Sequence, residues 1–245
     1  MSVVQKNFAQ PQRLTRISAE IAERAITREL GLKAIERVYE PGGIVLEEGD
    51  PVTSIKLVKS GWVGSEIQLL SGARLIIDVY LKNDILQLPT VAGEARASAR
   101  AIDQVRTLEF PVTTLTALLV HRPDIARYFE AASKRVEAIH VEHIVRLSRF
   151  TAIARTAHFL LELGQRIQPE HSGPEMSFAC PLTQGDFADA LGLTPIHVNR
   201  TLRKLRALGL ATVEKKIVRL HDWDRLSRLS EFNADYLRDD VILNS

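Results

Sequence analysis

Arg200, Arg203 and Lys204 stand on one short segment, "TPIHVNRTLRK", with Ile196, His197 and Asn199 beside them. Wound as a helix at about 100° per residue, the segment places Val198, Leu202 and Leu205 on one apolar stripe. The opposite arc carries Ile196, Arg200 and Arg203, flanked by His197, Asn199 and Lys204. Guanidinium and amide groups on such an arc match the edges of nucleic-acid bases, and cations match phosphates. Arg200 is the best placed for a bidentate bond to guanine. Asn199 or His197 would read a base or hold a phosphate, and spacing does not choose between them.

That arc needs elements to aim it, and the flanking residues supply them. Thr183 can cap a helix starting at Gln184, with Asp186 at the capping-box position and Leu182 with Phe187 as a hydrophobic staple. Gly192 supplies a turn, Thr194 caps a second helix, and Pro195 takes its favoured first position. Helix, turn and helix fit within about 20 residues, as a helix-turn-helix requires. Two short β runs, Ala211–Val213 and Ile217–Leu220, then flank Glu214-Lys215-Lys216 and read as a hairpin wing. From Ile196 to Arg219 there are seven Lys or Arg against the single Glu214, a local net charge of +6 in a chain that carries +2. An ordinary solvated helix face would explain the cations, but not the coincidence of caps, turn, stripe and wing.

The rest of the 245 residues has the composition of a globular protein, 45% hydrophobic and 25% charged. Residues 1–40 read as helical and mixed, with Ser18 as an N-cap. From Pro41 to Pro111, glycine turns divide "IVLEE", "SIKLVKS", "WVGSEIQLL" and "RLIIDVYL", the texture of a β-sandwich or barrel. After Pro111 the text is helical. Ile125, Phe129, Ala132, Val136 and Ile139 recur at spacings of 4, 3, 4 and 3, an a/d seam that suits a dimer helix over 123–149. A helix packed on its own domain is the plainer alternative. Another amphipathic helix carries Ile153, Ala157, Leu160 and Leu161 and is expected to end near Gly164, and 168–177 reads as a surface loop.

With these residues placed, the chain resembles the CRP/FNR superfamily of bacterial transcription regulators from about Glu40 to Leu237. The resemblance is most specific in "LTQGDFADALGLTPIHVNRTLRKLRALGL", and extends to "DWDRLSRLSEFNADYL" and, more loosely, "EPGGIVLEEGDPVTSIKLVKSGWV". It implies an α+β chain: an N-terminal cyclic-nucleotide-binding-type β-roll (1–122, with an N-terminal helix), a dimerisation helix (123–149) and a C-terminal winged helix-turn-helix (150–245). It also puts Arg200 on the base-contacting arginine, and Thr183 and Gln184 at a phosphate-contacting helix N-terminus. Pro195 and Ile196 replace the Arg and Glu of the best-known members, so a different half-site is expected.

The family's nucleotide cassette pairs a Gly-Glu with a following Arg-Ser or Arg-Thr. Here Gln87-Leu88 stands near the expected Gly-Glu, Gly93-Glu94 comes too late, and Arg96 precedes Ala97 and Ser98. Arg96 and Ser98 are the residues left to hold an effector. A ribose hydroxyl without its carboxylate loses roughly 1.5–3 kcal/mol, so gating by cyclic AMP is not expected. No cofactor is expected either: Cys180 alone cannot hold an iron–sulfur cluster. A redox role for this cysteine, three residues before the first cap, stays open. No histidine precedes His121, which removes the ligands of a cupin-like metal enzyme. Glu137, His140 and His143 more simply read as seam or solvated residues.

The expectation is therefore a cytoplasmic homodimer, with no membrane span, that binds a pseudo-palindromic duplex and regulates transcription, with RNA polymerase as the further partner of an activator. The alternatives are a regulator of this fold gated by cyclic nucleotide or another small ligand, and a sensing or partner-binding module without DNA.

Overall fold

In a computed structural model of the chain, the described residues are Arg28, 34–86 and 93–238. Two antiparallel four-stranded sheets face each other. One has the order β1-β8-β3-β6, from β1 (Ile35–Tyr39), β3 (Ser54–Ser60), β6 (Ile85–Leu86) and β8 (Val105–Pro111). The other has the order β2-β7-β4-β5, from β2 (Ile44–Leu46), β4 (Val63–Gln68), β5 (Arg74–Tyr80) and β7 (Ser98–Ala101). Alternation along the strands sends Val58, Val63, Ala99, Ala101 and Val105 into one interior between the sheets. The helical reading of residues 1–40 is corrected at Ile35–Tyr39, which pairs with β8 from Ile35↔Glu109 to Tyr39↔Val105. Ladder bonds to a distant strand decide that segment, and β-branched Ile35 and Val38 suit it. The helix start at Ser18 lies outside the described residues, as does Gln87-Leu88.

After α1 (Val112–His121) comes α2 (Pro123–Arg149), with Pro123 at its first position, Asp124 in its first turn and Arg146 and Arg149 in its last, each complementing the helix dipole. Its apolar seam faces inward, so these residues pack within the chain and do not lie open for a second copy as the heptad spacing suggests. Ile125, Phe129 and Ala132 are buried against Ile55, Leu57 and Phe110, on the outer face of the β1-β8-β3-β6 sheet. Ile139 is buried as well, and Val136 is half-buried. A sheet with a packed interior still has an apolar outer face, and this seam covers it.

Next come α3 (Ala152–Ile167), β9 (Met176–Ala179), α4 (Gln184–Leu191), α5 (Pro195–Ala207), β10 (Ala211–Glu214), β11 (Ile217–Leu220), α6 (Trp223–Ser230) and a 3-10 turn, Ala234–Leu237. α3 does not end near Gly164. That glycine is where β9 crosses the helix, and a Cβ there would stand 2.6 Å from Met176 Sδ. The loop expected at 168–177 likewise gives way at Met176 to β9, which completes the sheet β10-β11-β9.

A buried polar junction joins α2 to α3. Arg146 and Glu162 pair at 3.0 Å with side chains 3% and 2% exposed, and Tyr236 donates to Glu162 at 2.7 Å. Arg146 also approaches Nδ1 of His143 at 3.3 Å and of His158 at 3.4 Å. A guanidinium only donates, so both Nδ1 atoms accept and each neutral ring carries its proton on Nε2.

Candidate nucleic-acid interface

The capping box forms as drawn from sequence. Thr183 Oγ1 accepts from the Asp186 backbone N–H at 3.1 Å. Asp186 Oδ2 accepts from the Thr183 N–H at 2.8 Å and from its hydroxyl at 2.7 Å. This corrects one expected role, because both donors of Thr183 are spent on its own cap. Gln184, exposed at the first helical position, is the residue left to meet a phosphate at this helix end.

The helix ends at Gly192, in the left-handed region at φ 60. A side chain there would meet Leu147 Cδ2 at 3.1 Å, so the turn lies against the last turn of α2. Arg155 ties the same corner, donating to the carbonyls of Leu191 at 2.7 Å, Leu147 at 3.0 Å and Phe150 at 3.2 Å.

In α5, Thr194 Oγ1 accepts from the His197 N–H at 3.3 Å and Pro195 takes the first position. Val198 and Leu205 are fully buried. Thr201, also buried, donates its hydroxyl to the His197 carbonyl at 2.9 Å. Each buried aliphatic contributes about 1.5–3 kcal/mol to seating the helix. Thr194, Pro195, Ile196, His197, Arg200, Arg203 and Lys204 remain exposed, Ile196 to 78%. Among the described residues no carboxylate pairs with Arg200, Arg203 or Lys204. Asn199 is half-buried and borders a cleft of about 220 Å³ with Gln184, Arg203, Arg206 and Thr212.

The wing closes on a two-residue turn in which Lys215 and Lys216 both have positive φ, 51 and 59. That is the type I′ geometry matching strand twist, and it holds both ammonium groups at the tip. Lys216 lies in the field of Asp103 in the β7–β8 loop, which leaves Lys215 the freer cation. Arg206 was not singled out from sequence. It pairs with Glu214 at 2.7 Å and spans α5 and the wing, neutralising the one acid on this surface.

The expected effector residues are not brought together. Arg96 is exposed, and Ser98 Oγ accepts from the Glu48 N–H at 3.1 Å. The roll interior beside them is lined by Ala95, Ala99 and Ala101. Glu109 is a buried acid of β8, and its oxygens are taken by Tyr39 at 2.6 Å, Lys56 at 2.9 Å and Thr107 at 3.0 Å. Cys180 is buried in the core, and burial pushes its thiol up to about 12. Among the described residues no helix is long and apolar enough to cross a membrane, and no His, Cys, Asp and Glu cluster could hold a metal ion.

Comparison with known proteins agrees with this geometry. Residues 36–122 match the cyclic nucleotide-binding domain and residues 154–229 the Crp-like helix-turn-helix domain. The chain is 25% identical over 209 residues to the regulatory protein HlyX of Actinobacillus pleuropneumoniae, covering 84% of this chain and 86% of that protein. It is 24% identical over 196 residues to the fumarate and nitrate reduction regulatory protein of Escherichia coli (strain K12), covering 80% and 78%. The structure of FixK2 from Bradyrhizobium japonicum superposes with a TM-score of 0.72 at 27% identity, over 82% of this chain and 99% of that one. With a roll, a long helix and a winged helix-turn-helix in one order, the chain belongs to the CRP/FNR family and is a DNA-binding transcription regulator.

Proposed function

We propose that the protein acts as a homodimer on a pseudo-palindromic duplex and needs no cyclic nucleotide to bind it. In this reading Arg200 contacts a base, Ile196, His197, Asn199 and Arg203 border it, and Gln184, Thr194, Lys204, Lys215 and Lys216 serve the phosphates. The open cationic face of α5, unpaired by any described carboxylate, is the observation that carries the DNA assignment. Dimerisation rests on a different stripe of α2 from the one expected. Val141, Ile144 and Val145 are 53%, 64% and 37% exposed, at helical spacings that share a face. Two copies pairing there would set two recognition helices about one DNA turn apart. RNA polymerase would be the further partner if the protein activates transcription, and the cytoplasm its compartment.

Independence from cyclic nucleotide rests on the roll. Beside Arg96 and Ser98 its interior is aliphatic, Arg96 is exposed, and the buried acid Glu109 has its oxygens occupied by Tyr39, Lys56 and Thr107. Selection of bound sequences from a random duplex pool, with and without cyclic AMP, tests the reading. A palindromic motif without nucleotide is the expected result. A motif that appears only with nucleotide would overturn the effector assignment, and no motif under either condition would overturn the DNA assignment.

A further inference from the structure

Arg74 opens β5 on the roll, yet its guanidinium points at the DNA-reading domain. Its Nε bonds Asp189 at 2.6 Å and its Nη2 bonds Asp186 at 2.7 Å, both on α4 and three residues apart on one face. The remaining nitrogen bonds Glu66 of β4 at 3.1 Å, and Glu66 is held in turn by Arg100 of β7 at 2.9 Å. A planar fork that binds two carboxylates of one helix and a third from its own sheet fixes the angle between helix and sheet. Asp186 is also the acid of the capping box. The roll therefore grips the first helix of the helix-turn-helix at the end that faces DNA.

We propose that Arg74 is a positioning residue for DNA recognition, setting the orientation of the reading helices from the roll; the assignment rests on the homodimeric DNA-binding reading above. The reading face of α5 is open in this docked arrangement, with Ile196, Arg200 and Arg203 exposed, so docking presents the face and does not cover it. Other contacts cross the same boundary. Trp62, Ile76, Val79 and Leu81 of the roll share one core with α3, α4 and α5. Arg166 of α3 bonds Asp78 at 3.1 Å and Asp84 at 2.8 Å. Arg166 is 8% exposed and Arg74 31%. Without Arg74, Glu66 keeps Arg100, Asp186 keeps the Thr183 N–H and hydroxyl, and Asp189 is the most exposed of the three acids, so the fold is expected to survive the test.

Two docked arms hold two recognition helices at one separation. Loosened arms adapt to several separations but pay for order at each, because apparent affinity scales with the fraction of molecules in the competent arrangement. A half-site needs one arm only and is blind to this. The experiment measures Arg74→Ala, Asp189→Asn and the double variant on the selected palindrome, on the same palindrome with its spacer changed by one or two base pairs, and on a half-site. We expect about a tenfold loss on the native spacing, a flattened spacer preference, unchanged half-site binding and salt slope, and a double variant no worse than Arg74→Ala. Far-UV circular dichroism and the melting temperature verify the fold. Spacer preference kept by Arg74→Ala would overturn the role, leaving an ordinary surface ion pair. Equal loss on the half-site would also overturn it, since Arg74 would then act on α4 or on DNA itself. A wild-type protein that selects no site sinks the proposed function and this role together, whereas selective wild-type binding matched by the variants sinks this role alone.

Discussion

Arg155 donates to the carbonyl oxygen of Leu191 at 2.7 Å, across 36 residues of chain. The same guanidinium reaches Leu147 and Phe150, so one cation collects the carbonyls that end α2 and α4. Among the described residues no acid pairs with it. Desolvation alone lowers its pKa, and the negative ends of two helices take the place of a carboxylate. The end of the long helix and the turn of the helix-turn-helix are thereby tied to one side chain.

Arg155→Ala strands three carbonyls at a half-buried corner. Charge-assisted bonds of this kind contribute roughly 1.5–3 kcal/mol, and we expect a loss of stability of that order in urea titration. Arg155→Lys restores one bond at best and should fall between. A variant as stable as the wild type would show the corner to be held by packing alone.

Base and phosphate contacts separate by their sensitivity to sequence and salt. Arg200→Ala should cost about 1–3 kcal/mol on the selected site and little on random duplex. Lys215→Ala should weaken both and reduce the salt slope by about one. Equal losses from both substitutions on both duplexes would contradict these assignments.

The exposed stripe of α2 gives the dimer a direct check. Ile144→Asp replaces a side chain already 64% exposed, so the protomer should fold as before. Sedimentation should show a monomer, and affinity for the palindrome should fall to that of a half-site. A dimer that persists would place the interface elsewhere.

Acid should weaken the fold before most carboxylates titrate. Burial first, and Arg146 second, hold His143 at about 4 and His158 at about 3. Glu142 approaches His158 at 3.6 Å without reversing that. Unfolded imidazoles protonate near 6.5, so the unfolded chain binds more protons than the fold as pH drops below that value. Stability is full above about pH 6.5 and is lost as pH falls toward 4 and 3, by on the order of 3 kcal/mol per histidine. The melting temperature should decline over this window, and His143→Gln with His158→Gln should flatten the decline. A wild-type midpoint constant from pH 7 to 4.5 would refute it.

Cys180 should be silent. Its thiol is 1% exposed, in the core beneath the helix-turn-helix, and far from ionised at neutral pH. A thiol reagent should label it only after denaturant unfolds the chain, and DNA binding should survive mild peroxide. Rapid labelling of the native protein would reopen a redox role.

Much of the reading apparatus was legible because its determinants are local. Thr183 and Asp186, Gly192, Thr194 and Pro195, and the Val198–Leu202–Leu205 stripe act within one or two helical turns, where spacing alone implies geometry. Lys215 and Lys216 at the wing tip follow from two flanking β runs. That the Thr183 hydroxyl also donates to Asp186 was not legible, since residue types do not say which protons are already committed.

What the sequence determined by itself was periodicity: which faces are apolar, where helices start, and where cations gather. It could not determine what covers a face. The seam of Ile125, Phe129 and Ala132 has the period of a dimer helix, yet it packs on its own sheet, because a hydrophobic stripe is satisfied by any apolar surface. Ile35–Tyr39 became a strand through a partner some 70 residues away. Arg74 meets Asp186 and Asp189 across 112 and 115 residues. Such pairings depend on how sheets and helices stack, and only the tertiary structure decides that.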